Sequence, residues 1–162
     1  MLGRIFLMCA ILLMGLIAGF FYAGSTLLFG FDALPRSDAI RALQAINAHV
    51  RNWMFIPSFF GALAMSALAM AFFGATRRWR VAGWTFAGVL TYLVGGVVVT
   101  LLLNIPLNNW LAGVDIERSG FTAITDAYLG SWRFWNWVRM FASLLALGLL
   151  VMAFREEGRQ KD

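Results

Sequence analysis

The chain has 162 residues, of which 61% are hydrophobic and 13% charged, and its mean hydropathy is +0.77. A soluble domain carries about a quarter charged residues, so this balance excludes one and places the chain among integral membrane proteins. The net charge of +5 lies in short clusters flanking apolar runs and in a mixed C-terminal tail, so it marks topology and not nucleic-acid binding.

The first apolar run, residues 5–31, follows Arg4. It continues well past Tyr22, longer than the core of a signal peptide, and reads as a transmembrane helix. Cys9 lies inside it, where a lone thiol behaves as a small hydrophobe. Gly15 and Gly19 form a small-xxx-small pair suited to close packing inside the bundle.

Residues 37–52 read as an amphipathic helix in the first loop, with Ser37 as N-cap and Asp38 in its first turn. Ile40, Leu43, Ile46 and Val50 make its apolar stripe, with Gln44, Asn47 and Arg51 on an adjoining one. The polar stripe either caps a pocket or faces the membrane surface.

Residues 53–74 and 81–104 are the second and third spans, joined by the tight Arg77-Arg78-Trp79-Arg80 turn. Gly95 and Gly96 narrow or loosen the third. Pro106 lacks an N–H and disfavours helical geometry before it, so this span should end or kink near Asn104. Asn104 and Asn108 would then face free backbone groups. The loop to residue 131 carries Asp115, Glu117, Arg118, Asp126 and Tyr128 and should fold, partly helical, over that end of the bundle.

The fourth span covers residues 133–154. Steps of four, three and four put Trp132, Asn136, Arg139 and Ser143 on one face. Arg139 falls roughly 10 Å beyond the Trp132 boundary at the helical rise per residue. A charge at that depth costs about 1–3 kcal/mol or more unless it snorkels or faces a polar interior.

The expected architecture is therefore an all-α membrane protein: a four-transmembrane-helix bundle forming a single domain over 1–162, with an amphipathic helix in the first loop and a long, partly helical third loop. Seven basic residues flank the end holding the termini, against five at the other. The positive-inside rule then puts both termini in the cytoplasm. Trp53, Trp79, Trp84, Trp110 and Trp132 fall near the expected bilayer boundaries, as aromatic belts do.

One cysteine and one histidine exclude an internal disulfide, paired axial haem ligands and a His/Cys metal cluster. There is no Walker loop, dinucleotide fingerprint or nucleophile elbow. No cofactor and no metal are expected, and chemistry falls to amides, Arg, one His and a few carboxylates.

Gln44-Ala-Ile-Asn47, Asn104-Ile-Pro-Leu-Asn108-Asn-Trp-Leu and Trp135-Asn136-x-Val138-Arg139 together resemble the anthrone-oxygenase-like family of small four-helix membrane proteins. The likeness covers nearly the whole chain. It implies a cofactor-independent oxygenase acting on an activated polycyclic or phenolic carbonyl compound, with membrane lipids, a small aromatic substrate and molecular oxygen as partners, in a bacterial inner membrane. On that resemblance Arg139 would stabilise an enolate or peroxide oxygen, and Asn136 would act beside it. His49 would be the base. Gln44, Asn47, Asn104, Asn108, Trp132 and Trp135 would bind substrate. Trp137 stands where members of that family often carry His. Two other readings use the same residues: binding or transport of a small amphipathic, quinone-like molecule, and a polar network that only locks the bundle. Nothing in the sequence sets an oligomeric state.

Overall fold

The structure is a computed structural model that describes residues 1–27, 30–115 and 121–159. Among them the chain is almost entirely helical: α1 (Leu2–Leu27), a short 3-10 turn (Gly30–Ala33), α2 (Arg36–His49), α3 (Phe55–Ala75), α4 (Trp79–Tyr92), α5 (Ile105–Ala112) and α6 (Phe121–Arg159). Two π-helical segments, Leu93–Val98 and Thr100–Asn104, link α4 to α5, so Trp79–Ala112 forms one third span. Four of the helices are long and apolar enough to cross a membrane. The protein is an all-α, multi-pass membrane bundle.

The spans form a ring in which α1 packs on α3 and α6, and α4 packs on the same two helices. Small residues make this possible, because in lipid the helices associate through close contact rather than water exclusion. Ala10, Ala62, Ala69, Ala146 and Ala153 are fully buried. Larger side chains, among them Leu7, Met14, Phe21, Phe59, Phe73 and Leu150, fill the gaps between them. At Gly95 an added Cβ would stand 2.4 Å from the Cβ of Ala142, so glycine there lets the third span press on α6.

Local chemistry sets the ends. The Oδ1 of Asn52 accepts from the backbone N–H groups of Met54 and Phe55 at 2.9 and 3.0 Å, capping the start of α3. Pro57 lies in its first turn, where a missing N–H costs nothing. At the other end Arg77 takes a left-handed φ of 57°. Arg77 N–H donates to Gly74 O and Arg78 N–H to Phe73 O, the paired bonds of a Schellman stop. Glu157, buried, ties the termini to this turn: Arg78 Nη1 lies 3.0 Å from its Oε1, and Arg4 Nε lies 3.8 Å from its Oε2. That end is called proximal below, and the end covered by α2 and α5 distal.

Several sequence expectations change. The third span does not stop at Asn104. Pro106 still removes a donor and crowds the carbonyl one turn back, but the helix answers by widening into π-turns and continues to Ala112. The fourth helix begins at Phe121, not near residue 133, and its 39 residues span about 58 Å, well beyond a ~30 Å hydrocarbon core. Glu117 and Arg118 lie outside the described residues. Ser37 does not cap α2, which starts at Arg36 after Pro35 without a side-chain cap. The buried face of α2 is Ala39, Ile40, Leu43 and Asn47, while Ile46 is exposed. Gly15 and Gly19 have nothing within 4 Å of an added Cβ, so they are not a close contact inside the bundle.

Candidate functional site

Polar side chains collect inside the distal half of the bundle, and α6 supplies the centre. Arg139 is 5% exposed. Its Nη2 donates to Asn136 Oδ1 at 2.7 Å, and its Nη1 reaches Thr100 Oγ1 at a long 3.4 Å. The guanidinium lies over the rings of Phe21 and Trp132, at 4.5 and 5.2 Å from their centroids, contacts that partly replace hydration. Its Nε has no acceptor, and it makes no ion pair with any described carboxylate. A buried cation in this state attracts an anion.

Asn136 is fixed on both sides. Its Nδ2 donates to Phe21 O at 2.9 Å and Ser25 Oγ at 2.7 Å on α1, while its Oδ1 receives Arg139. Its hydrogen bonds are made to protein, so it orients the guanidinium. Thr100 is oriented too: its hydroxyl donates to Gly96 O at 2.7 Å, which turns a lone pair towards Arg139.

Asn104 differs. It is 0% exposed, and neither its Nδ2 nor its Oδ1 has a partner. A buried amide without partners costs about 1–3 kcal/mol, and native interiors rarely retain one without reason. Thr100, Asn104 and Asn108 recur every four residues and share one face of the third span.

These groups border a cavity of about 450 Å³, within the usual range for small-molecule sites. α1 contributes Phe20, Ala23, Gly24 and Leu27; α2 contributes Leu43, Ile46 and Asn47; α3 contributes Phe55, Ile56, Phe59 and Phe60. The wall is overwhelmingly apolar, with Asn47, Arg51, Thr100, Asn104, Asn108, Asn136 and Arg139 as its amide, hydroxyl and charged points. Proximally it ends on Phe59 and Tyr92, whose OH donates to Phe59 O at 3.0 Å, and beyond them lies the packed core of Leu7, Met14, Phe73, Val81 and Leu150.

A second network holds the roof. Asn47 Nδ2 donates to Tyr128 OH at 2.8 Å, Tyr128 OH donates to Asn108 Oδ1 at 2.9 Å, and Trp132 Nε1 donates to the same oxygen at 2.9 Å. One residue each from α2, α5 and two from α6 are thereby linked over the cavity.

Of the residues singled out from sequence, Asn47, Asn104, Asn108, Trp132, Asn136 and Arg139 border the cavity. Gln44, His49 and Trp135 do not. Gln44 Nε2 donates to the carbonyls of Leu111 and Val114 at 2.8 and 3.2 Å, clasping α2 to the end of α5. His49 is exposed, its Nδ1 2.8 Å from Ala45 O on its own helix, so it is not placed to act as a base here. Trp135 packs against Phe134, away from the cavity. Trp137 faces outwards beside Phe141, so it takes nothing from the lining. Sequence reasoning missed Thr100, Phe21 and Ser25, and named Tyr128 only as a loop residue. Thr100 was detectable, because it continues the four-residue spacing of Asn104 and Asn108. Among the described residues no group of three or more His, Cys, Asp or Glu is placed to hold a metal.

Fold and site together define a helical membrane bundle with a buried arginine, paired with no described carboxylate, beside a largely apolar cavity. The sequence model of the anthrone oxygenase family matches residues 51–149, more than half of the chain, and the chain belongs to that family. No curated protein and no solved structure matches it. The matched stretch contains Thr100, Asn104, Asn108, Trp132, Asn136 and Arg139, whereas α1 and α2, with Gln44, Asn47 and His49, precede it.

Proposed function

We propose that the protein is an oxygenase that converts the activated methylene of an anthrone-like polycyclic or phenolic carbonyl compound into a second carbonyl, without a bound cofactor. The observation that carries this reading is Arg139, a buried guanidinium with a free Nε and no carboxylate partner among the described residues. Its membership of the anthrone oxygenase family supports it.

The chemistry asks little of the protein. The substrate's C–H bond adjoins an aromatic ketone, so losing a proton gives an enolate whose charge rests on oxygen. Arg139 lowers the energy of that anion, aided by a preorganised donor in a site of low dielectric. Asn104 Nδ2 can donate to the same oxygen or its neighbour. No described lining residue is a carboxylate or imidazole, so the proton passes to water, and the protein acts on the substrate's acidity rather than as the base. The enolate gives one electron to O₂, and the resulting radical and superoxide join in a C–O bond. The peroxide oxygen takes a proton, the second carbon-bound hydrogen leaves as a proton, and O–O cleavage releases water. The carbon loses four electrons, and O₂ gains them as one carbonyl oxygen and one water.

The cavity's closed proximal end favours this reading over transport, which needs a route to the opposite face. The basic clusters support an orientation with both termini cytoplasmic, in a bacterial inner membrane. The test is oxygen uptake by purified protein supplied with anthrone, with anthraquinone followed by absorbance. Uptake above the uncatalysed rate, lost in Arg139→Gln, is expected. Wild-type protein that leaves the uncatalysed rate unchanged overturns the reading.

A further inference from the structure

We propose that the cavity is loaded sideways from the bilayer, through a gap between the first turns of α3 and the π-helical part of the third span, by an apolar ring compound carrying a ketone or hydroxyl oxygen. The proposal rests on reading the cavity as a substrate site.

Three observations point to this gap. On the α1 side of α3 the two helices pack closely, and Phe20 meets Phe55 across the seam at 4.9 Å. The other side of α3 is less closed. There α3 packs along α4, and Phe59 meets Tyr92 at 5.9 Å, but above Tyr92 α3 scarcely touches the third span. The lips of the opening are Ile56 and Phe60 on α3 and Leu101 on the π-helical segment, 44%, 47% and 45% exposed. All three also line the cavity.

The chemistry of the lips selects the route. They carry no charge and no hydrogen-bonding side chain, and they belong to helices that span the membrane, so the medium they meet is hydrocarbon. The polar groups stand behind them, with Asn104 fully buried and unpartnered. An apolar ring system dissolved in the bilayer crosses such lips without desolvation, and its oxygen meets Asn104 and Arg139 only once inside. A freely water-soluble anion would instead come by the distal rim, where Arg51 is exposed at the cavity edge.

The test uses benzophenone, an apolar aromatic ketone that partitions into lipid and inserts into nearby C–H bonds under ultraviolet light. Protein in phosphatidylcholine nanodiscs is irradiated with it, and adducts at the buried cavity residues Thr100 and Asn104 of the 100–112 peptide, told apart by fragmentation from those on outward-facing Leu101, Leu102 and Trp110, are counted by mass spectrometry. Leu101→Trp and Ile56→Trp should each slow the appearance of these adducts about tenfold or more, as a gated association step does. Phe60→Ala should speed it, and Leu145→Trp, on the outward face of α6, should leave it unchanged. Melting curves identify any lip variant that does not fold, and the other lip then decides. Labelling at the wild-type rate in the folded lip variants, slowing by Arg51→Trp alone, or a wild-type peptide unlabelled at Thr100 and Asn104 each overturns the proposal. Anthrone-dependent oxygen uptake, read on the same samples, separates the two ideas. Lip-dependent labelling without uptake sinks the oxygenase and leaves the portal, while uptake with lip-independent labelling sinks the portal alone.

Discussion

Arg139 donates to Asn136 Oδ1 at 2.7 Å, one turn back along α6, and Asn136 is itself bonded to the Phe21 carbonyl and the Ser25 hydroxyl of α1. The cation is therefore aimed by a residue that also joins the two helices, which separates the roles of the pair. Asn136→Ala strands Arg139 Nη2 and Ser25 Oγ, while Phe21 O keeps its backbone partner within α1, and buried groups left unpaired cost about 1–3 kcal/mol apiece. The expected result is a marked fall in melting temperature in detergent together with lost oxygen uptake.

Arg139→Met should behave differently. The wild-type charge has one short hydrogen bond, one long one, two ring contacts and no carboxylate. Met removes a buried charge that no described carboxylate balances, a gain, and leaves Asn136 Oδ1 without its donor, a cost of about 1–3 kcal/mol. The variant should therefore remain folded, with a loss of no more than about 3 kcal/mol, and consume no oxygen with anthrone. A collapsed Arg139→Met protein is the result expected of a purely structural network instead.

Asn104→Leu makes the sharpest contrast between stability and function. The amide is fully buried and bonded to nothing, so its removal should stabilise the ligand-free protein by about 1–3 kcal/mol. A ligand present at a hundred times its dissociation constant adds ~2.7 kcal/mol to stability. Anthraquinone should give wild type such an upward shift in melting temperature and give Asn104→Leu much less. Equal shifts in both proteins would remove Asn104 from the binding site.

Much of the fold is written in hydropathy, because a bilayer demands long apolar helices and leaves no other choice for these runs. What failed was local. Pro106 reads as a stop or a kink near Asn104, and the stop is what fails: within a membrane an ended helix strands carbonyls, and π-turns are the cheaper answer. The site was legible where helical angle was respected: Trp132, Asn136, Arg139 and Ser143 do share a face. His49 was chosen for its chemistry, but two residues past Asn47 puts it ~200° round α2, and it points outwards. Trp135 stands one position, ~100°, from Asn136 and leaves the cavity for the same reason. The α1 contribution was illegible, since Phe21 offers a backbone carbonyl and a ring face that no residue pattern announces.

Tyr128 tests the roof. Its hydroxyl accepts from Asn47 and donates to Asn108, so Tyr128→Phe breaks one tie between α2 and α5 while Gln44 still clasps α2 to the end of α5 and Trp132 still holds Asn108. The loss should be modest, about 0.5–1.5 kcal/mol. It should be local: faster amide hydrogen exchange across 36–49, with the protection of α3 and α4 unchanged. Uniformly faster exchange through the bundle would show that the tie supports the whole fold and not the roof alone.

The glycines separate a packing role from an outward one. A Cβ on Gly95 would overlap Ala142, whereas Gly15 and Gly19 have no neighbour within 4 Å. Gly95→Val should push the third span off α6 and cost about 1–3 kcal/mol. Gly15→Ala and Gly19→Ala should be neutral or stabilising by up to about 1 kcal/mol each, through helix propensity alone. Thermal melts in detergent micelles, where each chain is surrounded by surfactant, give the ordering. Because Ala142 lies one turn beyond Arg139 on α6, displacement at Gly95 also moves Thr100 relative to the guanidinium. Gly95→Val should therefore lose oxygen uptake at temperatures where it is still folded, while both alanine variants on α1 retain it.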